Sequence, residues 1–189
     1  MNPKNGEILG YAVYPTYNPN NYKKATLTQL TNWTLSDVFE PGSTFKVLTV
    51  ASALENGRIQ EDSKVLDSGK LDIDKWTIKN YDYSTKPFPG WIDLYYLFEH
   101  SSNVGSAKVA LMMTKKEHYD VLKRFGLGEK TGIDLPGESR GLLTDYRDWH
   151  KSTHASIGYG YSVSVTAIQL ASITVSYTHL RAHETDSYL

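Results

Sequence analysis

Ser43-Thr44-Phe45-Lys46 places a hydroxyl and an amine three residues apart. In a helix the two side chains share one face, a turn apart. A serine hydroxyl is a poor nucleophile until a base takes its proton, and a lysine can be that base if desolvation or nearby positive charge lowers its pKa. The N–H groups of a helix N-terminus could then hold the oxyanion of an attacked carbonyl. The spacing alone is weak evidence, because a Ser-x-x-Lys is expected roughly once in a chain of this length at average composition. On the tetrapeptide alone, an exposed and inert pair is the plainer reading. Ser101-Ser102-Asn103 is the second candidate. A hydroxyl and a carboxamide two positions apart can face one cleft, one relaying a proton and the other holding a substrate amide. Helix capping is the competing reading, since Ser and Asn are favoured N-cap residues.

Elements must hold these groups in place. Glu40-Pro41-Gly42-Ser43 introduces a helix in which Phe45, Leu48, Ala51 and Leu54 recur at helical spacing, and Asn56-Gly57 ends it. Arg58 to Gly90 is polar and broken by Gly69, Pro87 and Pro89, which predicts long loops with short extended pieces. A helix over about Asp93–His100 leads into Ser101, and another over Gly105–Met113 carries Ala107, Ala110 and Leu111 on one face. Lys115–Phe125 is amphipathic through Tyr119, Leu122 and Phe125, with Gly126 at its end. Gly158-Tyr159-Gly160 precedes a last helix that begins near Thr166 and includes Ile168, Leu170 and Ile173. Glu7 to Tyr14, closed by Pro15, is the single convincing strand, followed by a loop from Thr16 to Asn32. A lone strand would leave an edge unpaired, so cut rather than natural termini are expected.

Composition narrows the class. The chain has 189 residues, with 20 basic against 21 acidic side chains and a net charge of -1. One domain of this length buries roughly 70% of its unfolded surface. The even charge balance argues against a nucleic-acid binder. Hydrophobic content of 40%, with 14 Gly and 7 Pro, is that of a globular protein. The longest apolar stretch, Val47 to Leu54, is interrupted by Thr49 and Ser52 and falls far below the ~18 residues of a membrane span. No signal peptide is visible at Met1, and no internal repeat is found. With no cysteine, disulfides, thiolate metal sites and cysteine nucleophiles are excluded. The 14 tyrosines are spread through loops and helix faces, which fits packing better than glycan stacking.

Ser-x-x-Lys followed by Ser-x-Asn is a constellation of penicillin-binding proteins and serine β-lactamases. Glu40-Pro41-Gly42-Ser43-Thr44-Phe45-Lys46 resembles the nucleophile motif of the penicillin-binding transpeptidases that cross-link peptidoglycan. Asn2 to Leu9 resembles their Asp-Pro-Lys-Thr-Gly-Glu-Ile-Leu strand, and Ser101 to Gly105 their middle motif. Phe125 to Gly128, Gly132 to Glu138, Gly158 to Gly160 and Val165 to Ala171 match later landmarks in order. The likeness runs from about Met1 to Thr174, with the flavour of class B, division-type enzymes. It implies an α+β fold, three layers α/β/α, of the β-lactamase/transpeptidase kind. That fold is incomplete here, with the helical part present and most of the central antiparallel sheet missing.

The resemblance also implies roles. Ser43 would attack the D-Ala-D-Ala carbonyl of a stem peptide with Lys46 as general base. Ser101 would pass the proton to the departing D-alanine, and Asn103 would bind the peptide amide and help fix Lys46. β-Lactams would acylate Ser43. Stem peptides on a lipid-linked precursor or nascent glycan, β-lactams and division-complex proteins are the implied partners, with no nucleic acid and no cofactor or metal. The implied place is the bacterial cell envelope, at the extracytoplasmic face of the cytoplasmic membrane. The family's third motif, Lys-Thr-Gly, is expected after the Gln169-Leu170-Ala171 helix. Lys130-Thr131-Gly132 comes too early and reads as a structural turn. From about Val175 to Leu189 the pattern gives way to a tail similar to translated sequencing-adapter DNA, so His179 and His183 are read as no metal site. Without the third motif's strand an oxyanion donor is missing, which costs a factor of about 10² to 10³ in rate. A fragment with little activity is therefore expected. A β-lactamase or β-lactam sensor would need a deacylating base, for which Glu99 is the nearest carboxylate, and a non-catalytic division scaffold is the other alternative.

Overall fold

Among residues 1–179, which the computed structural model describes, the helices are α1 (Leu27–Leu30), α2 (Trp33–Ser36), α3 (Lys46–Glu55), α4 (Leu94–Glu99), α5 (Asn103–Met112), α6 (Lys115–Arg124), α7 (Lys151–Ile157) and α8 (Ala167–His179). The strands are β1 (Lys64–Asp67), β2 (Lys70–Ile73), β3 (Trp76–Lys79) and β4 (Gly90–Asp93). The chain divides into two units. One comprises Met1–Phe39, Phe125–Leu142 and the segment from Val165, and the other Glu40–Arg124 with Leu143–Ser164.

The second unit is built around α5. Small and branched residues on every side of this helix let it be buried all round, which explains why it shows so little amphipathic contrast. Val109 packs with Val50 and Ala53 of α3, Val65 and Ile92 of β1 and β4, and Leu94 and Leu97 of α4. On its other side Val104 and Ala107 meet Ile73 and Ile78 of β2 and β3 and Ala155 of α7. Burying one Leu or Val in this way is worth about 1.5–3 kcal/mol. β1 and β4 pair antiparallel with Val65 opposite Ile92, and β2 and β3 form a hairpin with Leu71 opposite Ile78. The hairpin turns at Asp74-Lys75, where Asp74 takes φ +53 as tight two-residue loops require. α6 turns His118, Val121 and Leu122 inward, leaving Tyr119 half-buried.

The first unit is mostly irregular. Phe39 and Val165 exchange backbone hydrogen bonds, and Val165, Leu35 of α2, Leu127, Ile168 and Ile173 are buried apolar residues of this unit. Thr166 and Gln169 cap α8 reciprocally, with Gln169 Oε1 accepting from Thr166 N at 2.8 Å and Thr166 Oγ1 from Gln169 N at 3.2 Å. The Gln169 amide then donates to the carbonyls of Glu129 and Arg140, tying down the Gly132–Gly141 loop region.

Helices α3 to α6 and α8 fall close to the expected segments, whereas the one-turn α1 lies in the expected Thr16–Asn32 loop and α2 just after it, and three further expectations need correction. Glu7 to Tyr14 is not a strand among the described residues. A strand is made by its partner, and side chains hold this segment instead: Trp33 Nε1 donates to Tyr14 O at 3.2 Å and Tyr11 Oη to Asn32 Oδ1 at 2.5 Å. The convincing strands lie elsewhere: the short extended pieces expected within Arg58 to Gly90 are the paired strands β1 to β3, and β4 starts at Gly90. α7 was not expected at all, because its few apolar residues show no helical period and α5 supplies the face that stabilises it. The expected end of the family pattern at Thr174 falls inside α8, and Leu180 to Leu189, with His183, lie outside the described residues. No helix among the described residues is long and apolar enough to cross a membrane.

Candidate active site

Gly42–Phe45 is a single turn of 3-10 helix that runs straight into α3 at Lys46. Three residues per turn eclipse positions i and i+3, so Lys46 stands directly over Ser43. Two contacts fix this turn. Gly42, at φ +57, donates its N–H to Gly160 O at 3.0 Å, and Glu40 Oε1 accepts from Ser162 N at 2.9 Å. The approach at Gly160 is so close that a Cβ there would lie 2.1 Å from Gly42 O. This is the physical use of the Gly-Tyr-Gly segment.

Ser101 lies between α4 and α5 with φ +49, a left-handed conformation costing a non-glycine residue about 1–3 kcal/mol and common where a site dictates the backbone. Its consequence is geometric: both the carbonyl and the hydroxyl of Ser101 reach Lys46. Lys46 is 1% exposed, and its Nζ lies 2.5 Å from Ser101 O, 2.8 Å from Ser101 Oγ, 2.8 Å from Asn103 Oδ1 and 3.2 Å from Ser43 Oγ. An ammonium has three hydrogens for these four oxygens, and Ser43, the most distant, is the one least served. Loss of one proton leaves a lone pair that can accept from Ser43 instead. Burial away from water disfavours the charged amine and lowers the Lys46 pKa from 10.5 to about 8. Ser101 Oγ donates to Ser43 Oγ at 2.9 Å, closing a triangle of two hydroxyls and one amine.

All four expected residues, Ser43, Lys46, Ser101 and Asn103, therefore meet in the second unit. In the middle triplet the helix cap and the contacts to Lys46 fall to different residues. Ser102 is buried and caps α5 by accepting from Gly105 N at 2.8 Å, while Ser101 and Asn103 turn to Lys46. Asn103 is already committed on both sides of its amide, with Nδ2 donating to Lys79 O at 3.0 Å. Lys130-Thr131-Gly132 lies in irregular chain of the first unit, not the unit of Ser43, and there Thr131 N and Oγ1 donate to Glu138 Oε1 at 2.6 and 2.5 Å and Gly132 N to Oε2 at 3.2 Å. Glu99, the nearest candidate for a deacylating base, ends α4 with its side chain 75% exposed and its carboxylate 3.9 Å from His100 Nδ1.

A family model described as the penicillin binding protein transpeptidase domain matches residues 1–179. The chain belongs to that family. Among curated proteins it is 38% identical over 169 residues to the peptidoglycan D,D-transpeptidase FtsI of Escherichia coli K12, covering 89% of this chain and 28% of that one. It is 36% identical over 172 residues to the probable peptidoglycan D,D-transpeptidase PbpC of Pseudomonas aeruginosa, covering 90% of this chain and 30% of PbpC. A solved transpeptidase domain of Burkholderia pseudomallei penicillin-binding protein 3 superposes with a TM-score of 0.73 at 30% identity, over 79% of this chain and 44% of that one. The chain thus spans about a third or less of the length of these two curated relatives. The fold is helix-rich α+β, with two small two-stranded sheets among the described residues.

Sequence reasoning missed part of this candidate site. Asp67, Lys79 and Asn80 sit behind the middle triplet, with Asn80 Oδ1 accepting from Asn103 N at 3.0 Å and Val104 N at 3.1 Å. They come from the segment expected to hold long loops with short extended pieces. Asp67-Ser68-Gly69 carries a turn signal, but nothing local links it to a residue more than thirty positions downstream.

Proposed function

We propose that this chain carries the acylation site of a peptidoglycan D,D-transpeptidase. The observation that supports it is the buried Lys46 amine, facing Ser43 Oγ at 3.2 Å and Ser101 Oγ at 2.8 Å, with the two hydroxyls 2.9 Å apart. Neutral Lys46 takes the Ser43 proton as the oxygen attacks the D-Ala-D-Ala carbonyl. The C–N bond to the terminal D-alanine breaks, and Ser101 relays a proton from Lys46 to the departing amine. The acyl group left on Ser43 then passes to an amine of a neighbouring stem peptide, whose proton moves by way of Lys46 to the departing Ser43 oxygen and so restores the hydroxyl and the neutral amine. Asn103 retains one N–H and a lone pair for the substrate backbone after its contacts to Lys79 and Lys46. β-Lactams acylate the same oxygen by opening of their ring amide. Such substrates place the working enzyme at the outer face of the bacterial cytoplasmic membrane, where division proteins are its candidate partners.

A fluorescent penicillin tests this reading. The 189-residue chain is incubated with the reagent, denatured and examined for bound label. Covalent labelling that disappears in Ser43→Ala is the expected result, with slow labelling of this chain alone. Label that persists in Ser43→Ala, or a folded protein that takes none on long exposure, would overturn it.

A further inference from the structure

Behind the reactive loop lies a buried carboxylate that acyl transfer does not touch. Asp67, at the end of β1, is 0% exposed. Its Oδ2 accepts from Ser102 Oγ at 2.6 Å and Asn80 Nδ2 at 2.8 Å, and its Oδ1 from Gly69 N at 2.7 Å. Facing this acceptor, the Asn80 amide must turn its Nδ2 inward and its Oδ1 outward. That Oδ1 receives the N–H groups of Asn103 and Val104, first-turn donors with no partner inside α5. Asn103 is the residue whose Oδ1 meets Lys46, and Ser101, held at φ +49, stands two positions before it.

We propose that Asp67 and Asn80 are positioning residues for acylation. Asp67 orients the Asn80 carboxamide, Asn80 clamps the start of α5, and the clamp sets Ser101 and Asn103 against the Lys46 amine. Each polar atom in this chain of contacts has a partner, and a fully satisfied buried network specifies one geometry where a partly satisfied one would not. A strained Ser101 needs such an anchor, since the relaxed backbone would carry its carbonyl and hydroxyl away from Lys46. The assignment rests on the acyl-transfer reading for its purpose, but its geometry can be tested apart from it.

Two readouts separate the ideas. One is the pH titration of the Lys46 amine, followed by competitive modification with a small amine-selective reagent and peptide mass spectrometry. The other is the rate of Ser43 labelling by fluorescent penicillin. In Asp67→Asn an NH2 group replaces one of the two acceptor oxygens and faces donors it cannot accept from, the loop loosens and water reaches Lys46. Its titration midpoint then moves up from about 8 toward 10.5, and labelling slows about 10- to 10²-fold, as small misplacements of reacting groups do. The reciprocal swap, Asp67→Asn with Asn80→Asp, offers every atom a partner again. The new carboxylate accepts from the α5 N–H groups, from Ser102 and from the new amide, whose oxygen keeps Gly69 N. Recovery of both readouts in the swap is the expected result, which a purely structural role would not require.

A folded Asp67→Asn protein with unchanged Lys46 titration and labelling overturns the proposal. A swap that restores neither readout, or does not fold, also overturns it. If Asp67→Asn itself fails to fold, the swap decides alone. If the unaltered chain titrates Lys46 near 8 yet takes no penicillin, the acyl-transfer reading falls. The positioning role is then judged on the titration of the two variants.

Discussion

Lys46 sets the pH at which this site can work. Only the neutral amine can accept the Ser43 proton, so with a pKa of about 8 acylation is slow below that pH, rises through it and levels off above. The rate of penicillin labelling against pH should show a single rising limb with a midpoint near 8. Lys46→Arg removes it, because a guanidinium keeps its charge, and the rate at pH 8 falls by about 10² to 10⁴-fold. Ser101→Ala separates the two contacts this residue makes. Its backbone carbonyl still meets Lys46, so the amine should titrate near its original midpoint while labelling falls with the lost hydroxyl.

At the level of elements, the site depends on two short junctions. The Gly42–Phe45 turn is pinned by the Gly158-Tyr159-Gly160 segment, where no side chain fits at position 160. Gly160→Ala must push the turn away, and labelling should drop by about ten-fold or more, since 1 Å errors at reacting atoms can cost about 10²-fold. Gly126→Ala is the control. It also sits at positive φ but meets nothing within 4 Å, so it should cost backbone strain of about 1–2 kcal/mol in a melt. The second junction is the α5 cap. Ser102→Ala removes the acceptor for Gly105 N and a donor to Asp67, and should lower stability by about 1–3 kcal/mol in denaturant titration.

Stability of the whole molecule carries its own pH dependence, set away from the site. His118 is fully buried, and among the described residues neither of its ring nitrogens has a hydrogen-bond partner. It packs 5.3 Å from His154 and 6.1 Å from Trp149, ring centre to ring centre. Burial, with repulsion from His154, lowers the His118 pKa from 6.5 to about 3. Burial, with repulsion from Lys115, lowers that of His154 to about 4. Both rings are neutral in the fold, whereas the unfolded chain takes up their protons below pH 6.5. The stability they confer is therefore complete above pH 6.5 and lost progressively as pH falls toward about 3 to 4. At pH 5, His118 alone should account for a loss of about 2 kcal/mol relative to pH 7.5. Urea midpoints at the two pH values check this, and His118→Phe should flatten the difference.

The sequence by itself determined the local chemistry: the i, i+3 pairing of Ser43 and Lys46, the Asn56-Gly57 stop of α3, the start of the last helix near Thr166 and the order of the motifs. These are relations within a turn or two, where backbone geometry fixes which side chains are neighbours. Tertiary structure decided the rest. A strand at Ile8 depends on a partner that spacing cannot reveal. β1 to β4 are four residues each, too short for an alternation to stand out, and they exist because each finds its pair. The Lys46 amine meets its partners Ser101 and Asn103 across 55 and 57 positions. The carboxylate beneath the middle triplet reaches Ser102 across 35. Desolvation and buried hydrogen bonds belong to the surroundings of a group rather than to its place in the chain, so reactivity emerged only when the chain closed on itself.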